Sequence, residues 1–123
     1  MYKGRMGTFR VELEVAGPAR DRFEPVEALV DTGSTHTVLP RALLRELGVP
    51  VDRRARFVLA DGTEVEREVG RAWVRFDGRQ EFTLVVFGDD ALLGAVTLEE
   101  FLLAPDPSSR QLVPVRGLMM RAA

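Results

Sequence analysis

Several kinds of chemistry are excluded by residues that this sequence lacks. It contains no cysteine, so thiolate catalysis, zinc–thiolate sites and disulfide bonds are impossible. It has a single histidine, His36, so one chain cannot build a two-histidine metal site, and a Ser–His–Asp triad would have to use that residue. No apolar run approaches the roughly 20 residues that a membrane span requires, and the N-terminal segment has no apolar region of the kind found in signal peptides. We therefore expect a cytoplasmic protein that does not bind membranes.

The balance of charge excludes a further class of function. The 123 residues include 17 lysines and arginines against 19 aspartates and glutamates, for a net charge of -2. Nucleic-acid binding requires a concentrated basic surface, so we expect no nucleic-acid partner. With 46% hydrophobic residues, a chain of this length can bury a core without metals or disulfides. We expect a single domain over residues 1–123, with a core at about residues 8–116 and a loose C-terminal tail.

Short extended segments dominate what is present. Residues Thr8–Val15 alternate strictly between polar and apolar side chains, which is typical of a half-buried strand. A second strand is predicted at Val26–Val30, and its apolar end indicates a central position in a sheet. Two Asp-Gly pairs, at positions 61–62 and 77–78, each separate two extended runs and therefore predict hairpins. The remaining strands are predicted at Thr37–Leu39, Arg56–Leu59, Thr63–Val69, Ala72–Phe76, Phe82–Phe87 and Gln111–Val115.

Two short helices accompany the strands. Pro40 suits the first position of a helix that Arg41–Leu47 continues and Gly48 ends. The segment Thr97-Leu98-Glu99-Glu100 has the form of a capping box, which predicts a helix from Thr97 to Leu103. With about seven strands and two helices, we expect an all-β, or mostly-β, domain of the barrel type.

The most specific feature is an acidic residue at the end of an apolar strand. Asp31 directly follows Ala28-Leu29-Val30 and precedes Thr32-Gly33-Ser34. An Asp-x-Gly triplet alone is weak evidence, because Asp31 could simply accept backbone hydrogen bonds in an Asx turn. However, a carboxylate at a buried strand end costs several kcal/mol unless its lone pairs are satisfied, so its position calls for an explanation.

Three kinds of enzyme place an aspartate at such a strand end. Phosphatases of the haloacid-dehalogenase type need a second aspartate two residues later, and Gly33 occupies that position. Actin-like ATPases need two large α/β lobes, which 123 residues cannot supply. Aspartic proteases use Asp-Thr-Gly-Ser or Asp-Thr-Gly-Ala in a small β domain. Only they fit both the length and the strand-rich pattern.

Several segments together resemble the retropepsin-like aspartic proteases, and in particular their single-domain bacterial members. Ala28–Ser34, followed by Thr37–Pro40, is similar to the active-site segment of that family. Ala91–Gly94 before a short helix is similar to its hydrophobic–hydrophobic–Gly element, and the hairpin at Asp61-Gly62 lies at the position of its flap. The resemblance covers roughly residues 8–116 and implies a closed, mostly-β retropepsin-like barrel.

The resemblance also implies a function, which is that of a homodimeric aspartic endopeptidase. Peptide hydrolysis by this route needs two carboxylates that share one proton, one to activate water and one to protonate the carbonyl oxygen. The chain has one Asp-Thr-Gly. Asp61 and Asp77 also precede glycines, but they lie in predicted hairpin turns and so do not supply a second catalytic loop. The second carboxylate would therefore be Asp31 of another copy, across a two-fold axis. The implied partners are that copy and an extended peptide substrate, with no metal and no organic cofactor.

Neighbouring residues acquire roles through the same resemblance. Asp31, Thr32 and Gly33 would form the catalytic loop, in which the Gly33 amide approaches the carboxylate and Thr32 reaches the partner's loop. Ser34 would donate a hydrogen bond to Asp31. The flap tip, which would close over the substrate, comprises Ala60, Asp61, Gly62 and Thr63. Plainer interpretations stay open, because the hydroxyls could cap backbone groups and the hairpin could be an ordinary turn.

The role of His36 and the function of the fold stay open in the sequence. His36 is either a substrate contact or a surface residue, and the second is commoner for a lone histidine in a loop. Viral members of the family usually have acidic residues at the places of Thr35 and His36, where they hold the substrate backbone. Candidate cleft walls are Val38, Leu59 and Leu92.

The alternative function is a non-catalytic module of the same fold that dimerises or binds an extended peptide.

Overall fold

The computed structural model describes residues 8–115, so the predicted loose tail lies outside the described residues. The strands are β1 (Arg10–Ala16), β2 (Phe23–Val30), β3 (Thr37–Pro40), β4 (Arg53–Val58), β5 (Glu64–Phe76), β6 (Arg79–Gly88), β7 (Leu92–Leu93), β8 (Leu103–Asp106) and β9 (Gln111–Pro114). The helices are α1 (Arg41–Glu46) and α2 (Ala95–Phe101). Neither helix in this part of the chain has the length and apolar character to cross a membrane.

The main sheet closes on itself. Its strand order is β1-β2-β7-β3-β6-β5-β4, and β1 also pairs with β5 through Glu14↔Arg75 to Ala16↔Trp73. Closure leaves β4 outside the ring as a partner of β5 alone, so these two strands project as a hairpin. The mostly-β, closed barrel with two short helices is therefore confirmed.

The first two strands follow the predicted pattern of burial. In β1, Leu13 and Val15 are buried while Arg10 and Glu12 are exposed, as alternation requires. β2 begins three residues earlier than predicted, because its antiparallel pairing with β1 continues to Ala16↔Phe23.

β5 is one continuous strand where two were predicted. The predicted strands leave Gly70 and Arg71 between them, yet Gly70 is buried and paired with Val85 inside the strand. A side chain at this position would collide with the carbonyl oxygen of Pro50, so the glycine serves a close backbone approach and not a turn. The hairpin after β5 is as predicted, because Asp77 and Gly78 both have positive φ, 51° and 76°, as a two-residue turn of type I′ requires.

Both helices begin differently from the prediction. Pro40 is the last residue of β3, with an extended ψ of 130°, and α1 begins one residue later. The predicted capping box at Thr97 is wrong, because α2 begins at Ala95 and Thr97 is buried within it. The first amides of α2 are already satisfied, since Ala95 and Val96 donate to carbonyl oxygens of Ser34 and Thr35. No side-chain cap is therefore needed there.

The C-terminal part contains a strand that the sequence did not predict. α2 ends at Phe101, and Leu102 in the left-handed conformation, with φ of 56°, redirects the chain into β8. β8 pairs with the predicted last strand, β9, in a separate two-stranded sheet. Pro105 lies within β8 and Pro107 follows it, and a strand that pairs on one side only tolerates proline, because one row of its backbone groups needs no ladder partner.

The apolar core holds both ends of the loop that carries Asp31. One buried cluster includes Leu13, Val30 and Phe101. The other includes Leu39 and Phe87. Val30 ends β2 just before the loop and is 2% exposed, whereas Leu39 lies in β3 just after it and is fully buried. Full burial of such side chains contributes about 1.5–3 kcal/mol each, so the loop spans two fixed points.

Candidate active site

Asp31 lies where three strands meet at one end of the barrel. It follows the last residue of β2, and β7 runs parallel to β2 beside it through the pair Val30↔Leu93. β7 also pairs with β3 at Val38↔Leu92, so it lies between the strand that enters the loop and the strand that leaves it. The Asp31 loop therefore joins two strands that are both paired with β7.

Local hydrogen bonds fix the backbone around Asp31. Its amide donates to the carbonyl oxygen of Leu93 at 3.1 Å, and the Ser34 amide donates to the Asp31 carbonyl at 3.0 Å. The Gly33 amide donates to Asp31 Oδ1 at 3.0 Å. A side chain on Gly33 would start 3.1 Å from the same oxygen, which is closer than most real contacts. This geometry is also that of an Asx turn, so the turn and the catalytic loop are one structure here.

The segment that opens α2 holds the same loop from the other side. The amides of Ala95 and Val96 donate to Ser34 and Thr35 carbonyl oxygens at 2.9 and 3.0 Å. Gly94 allows this approach, because a Cβ there would lie 2.5 Å from the carbonyl carbon and oxygen of His36. The glycine of the hydrophobic–hydrophobic–Gly element therefore has a steric explanation.

The hydroxyl groups of the loop have different environments. Ser34 Oγ donates to the carbonyl oxygen of His36 at 2.8 Å, which stabilises the loop within the single chain. A hydroxyl has one proton, so a donation to Asp31 would require this bond to change, and that donation stays a prediction. The side chain of Thr32 is exposed to solvent in the single chain, and its contact with a partner's loop stays a prediction.

The predicted flap is the projecting hairpin of β4 and β5. At its tip, the Leu59 amide donates to the Thr63 carbonyl at 2.8 Å and the Gly62 amide donates to the Leu59 carbonyl at 2.9 Å. Gly62 has a φ of 87°, which favours glycine there. Hydrogen bonds from the side chain and amide of Thr63 hold the pKa of Asp61 below its ordinary value.

A cleft of about 570 Å³ separates the flap from the Asp31 loop. Its lining includes the loop residues Gly33 and Ser34, and also Val38, Leu59 and Leu92, the three predicted cleft walls. The flap-tip residues Ala60, Asp61, Gly62 and Thr63 are not part of this lining, and neither are Asp31 and Thr32. The structure thus brings the loop and the flap strands to one cleft, with the flap tip beyond its walls.

His36 is half-buried and faces this cleft. Its ring packs edge-on against Phe57 of β4, with ring centroids 5.9 Å apart at 77°, and Nδ1 is buried without a hydrogen-bond partner among the described residues. The structure places His36 in the wall of the cleft, and its contact with a substrate stays a prediction. Strand alternation could have shown this, because Thr37 and Leu39 are buried and put His36 and Val38 on the opposite face.

Charged side chains in the cleft were also missed as functional candidates. Arg56 and Arg67 reach it from the flap strands, and Asp89 and Asp90 reach it from the loop between β6 and β7. Asp89 forms an ion pair with Arg41 of α1. Within residues 8–115, no three acidic or histidine side chains are grouped so as to hold a metal ion.

Comparison with known proteins agrees with this architecture. The family model described as aspartyl protease matches residues 11–97, which is more than half of the chain. The EIAV protease, solved in complex with the inhibitor HBY-793, superposes with a TM-score of 0.57 at 21% identity and covers 76% of this chain and 86% of its own. The simian foamy virus protease gives a TM-score of 0.56 at 21% identity, covering 79% of this chain and 99% of its own. No curated protein matches the sequence.

The fold and the family match together define the class. The chain belongs to the aspartyl protease family and has the retropepsin-like fold. The two solved structures are below 25% identity and bear on the fold alone. A bacterial origin stays a prediction.

Proposed function

We propose that this protein is a homodimeric aspartic endopeptidase that hydrolyses extended peptides. The observation that carries the proposal is the loop at the end of β2, where the carboxylate of Asp31 accepts the Gly33 amide at 3.0 Å in a member of the aspartyl protease family. Each chain has one such Asp-Thr-Gly, so two copies are needed for a carboxylate pair.

The two Asp31 carboxylates would share one proton and hold a water molecule between them. The ionised carboxylate takes a proton from the water as its oxygen attacks the peptide carbonyl carbon, and the protonated carboxyl gives its proton to the carbonyl oxygen. The resulting gem-diol intermediate then collapses: the leaving nitrogen takes the proton of the pair, the C–N bond breaks, and one gem-diol hydroxyl returns its proton to the pair, which restores the starting state. Like charges so close cannot both stay ionised, which is why aspartic proteases in general titrate as a pair.

The other predicted residues support this reaction. Gly33 donates to Asp31, and Thr32 would contact the partner's loop across the axis. The flap tip would move over the bound peptide and exclude water. A flap strand next to an extended peptide can offer backbone hydrogen bonds, while apolar walls such as Val38 and Leu92 accept side chains.

The first test is Asp31→Asn, compared with Asp77→Asn as a matched control. Both substitutions replace an aspartate that lies in a turn shortly before a glycine. Asn tolerates the positive φ of Asp77, so the control should fold. We expect Asp31→Asn to lower cleavage of a peptide library, followed by mass spectrometry from acid to neutral pH, by about 10³-fold or more, with the dimer intact. Asp77→Asn should cleave as the wild type does.

Two outcomes would contradict the proposal. Unchanged cleavage in Asp31→Asn would remove this residue from the chemistry. A wild-type protein that binds peptides but cleaves none would favour the alternative, a peptide-binding or dimerisation module of the same fold.

A further inference from the structure

Three buried threonines lie beneath the segment that holds the Asp31 loop. Thr37 begins β3, Thr83 lies in β6 and Thr97 lies in α2, and they are 0%, 0% and 1% exposed. Thr37 Oγ1 and Thr97 Oγ1 are 2.6 Å apart, and Thr97 Oγ1 and Thr83 Oγ1 are 3.0 Å apart. The three hydroxyls thus form a continuous chain between two strands and a helix.

The two ends of this chain fix the direction of its hydrogen bonds. At one end, the Gly94 amide, which can only donate, gives its proton to Thr37 Oγ1 at 3.0 Å. At the other end, the Thr83 hydroxyl donates to Oε1 of Glu100 at 2.6 Å. Each hydroxyl has one proton, so Thr37 must donate to Thr97 and Thr97 must donate to Thr83. Each of the three hydroxyls donates once and accepts once, so this buried network leaves none of them unsatisfied.

This directed chain connects the outer face of α2 to the Asp31 loop. Glu100 is exposed near the C-terminal end of α2, whereas Gly94 is buried directly before α2, in the segment that contacts the loop. That segment accepts the Asp31 amide at Leu93 O and donates to the Ser34 carbonyl from Ala95. A displacement of Gly94 would therefore move the backbone of the Asp31 loop through these two hydrogen bonds.

We infer that Glu100 is a positioning residue for the Asp31 loop and acts through the relay Thr83–Thr97–Thr37–Gly94. Its carboxylate is the terminal acceptor that keeps all the hydroxyl protons pointing away from the loop. Without it, the Thr83 proton can turn back toward Thr97, and the acceptor available to the Gly94 amide loses its fixed orientation. This inference rests on the proposed function for its effect on catalysis, but the relay itself can be tested without activity.

The test compares Glu100→Ala with Glu99→Ala, which removes the neighbouring exposed carboxylate on α2. Glu99 is an exposed glutamate beside Glu100 on the same helix, so the two variants lose the same charge at neighbouring positions. Its side chain makes no hydrogen bond among the described residues, so its removal leaves the relay intact. Amide hydrogen exchange, measured by NMR, should be several-fold faster at Gly94 and Asp31 in Glu100→Ala and unchanged in Glu99→Ala. For peptide cleavage, kcat should fall about tenfold with KM nearly unchanged, because the loop is displaced while the cleft is kept.

A second pair of variants covers the case in which Glu100→Ala does not fold. Thr83→Val keeps the shape of the side chain and removes the hydroxyl, so it should show the same faster amide exchange and lower kcat as Glu100→Ala. Thr83→Ser keeps the hydroxyl and should behave as the wild type does. Equal Gly94 exchange in the wild type, Glu100→Ala and Thr83→Val would overturn the inference. If the wild type cleaves no peptide, the proposed function fails, and the exchange measurements still decide whether the relay exists.

Discussion

At the scale of single residues, Gly94 has the least room for change near Asp31. A Cβ at this position would lie 2.5 Å from the carbonyl carbon and oxygen of His36 and 2.8 Å from the carbonyl oxygen of Ser34. All of these are backbone atoms, so relief requires the loop itself to move. A Cβ on Gly88 would also collide at 2.5 Å, but with Cγ1 of the Val38 side chain.

We therefore predict that Gly94→Ala is more harmful than Gly88→Ala. Overpacking at Gly94 should lower the free energy of unfolding by about 1–3 kcal/mol, measured by urea denaturation, and should also lower peptide cleavage. Gly88→Ala should cost less, because a side chain can shift more readily than two backbone segments. Equal losses in the two variants would contradict the steric explanation given for Gly94.

The placement of residues could be predicted from the sequence where the determining contacts are local. The turn at Asp31 is predictable because the amides of Gly33 and Ser34 bond back to Asp31 itself. The face on which His36 lies follows from strand alternation, but its edge-on contact with Phe57 in a flap strand has no local sequence pattern. The predicted cap at Thr97 failed for the same reason, since the acceptors that replace it belong to Ser34 and Thr35, far away along the chain.

At the scale of elements, the flap tip has a pH dependence with a definite sign. Hydrogen bonds from the Thr63 side chain and amide lower the pKa of Asp61, so the folded turn favours the ionised carboxylate. A carboxyl whose folded pKa is lowered contributes stability that is present above its unfolded pKa and is lost as the pH falls through the folded value. The turn should consequently keep its closed form down to more acidic pH than an unbonded aspartate would allow.

The matching prediction concerns Thr63→Val, which removes the side-chain bond and keeps the amide. The pKa of Asp61, followed by NMR titration of its carboxyl carbon, should rise toward the ordinary value. Asp106 is an internal control, because the pKa of its carboxyl is lowered by the Ser108 and Ser109 side chains, in a different turn. An unchanged titration of Asp61, or a shift in both carboxyls, would contradict this assignment.

Elements with local causes were predicted well, and those with distant causes were not. The Asp77-Gly78 hairpin follows from two residues that accept positive φ. The continuity of β5 depends instead on Pro50, whose carbonyl oxygen occupies the space that a side chain at Gly70 would need. The strand β8 depends on its pairing with β9, in which Pro105 lies opposite Leu112.

At the scale of the whole molecule, closure of the sheet determines where the Asp31 loop lies. The pairing of β1 with β5 and the insertion of β7 between β2 and β3 are both non-local, so neither is visible in any window of the sequence. The closed fold was nevertheless expected, because the Asp-Thr-Gly, flap and Leu-Leu-Gly segments, in this order, resemble those of a family with this topology.

The proposed carboxylate pair makes the assembly itself testable by mixing chains. A dimer of one wild-type and one Asp31→Asn chain has a single carboxylate and should be inactive, so an excess of the variant should suppress the wild type. With a ninefold excess and random pairing, about one wild-type chain in ten finds a wild-type partner, and cleavage should fall about tenfold. The same excess of an unrelated protein is the control. If cleavage instead stays constant after the subunits have exchanged, one chain is sufficient for catalysis and the shared site is wrong.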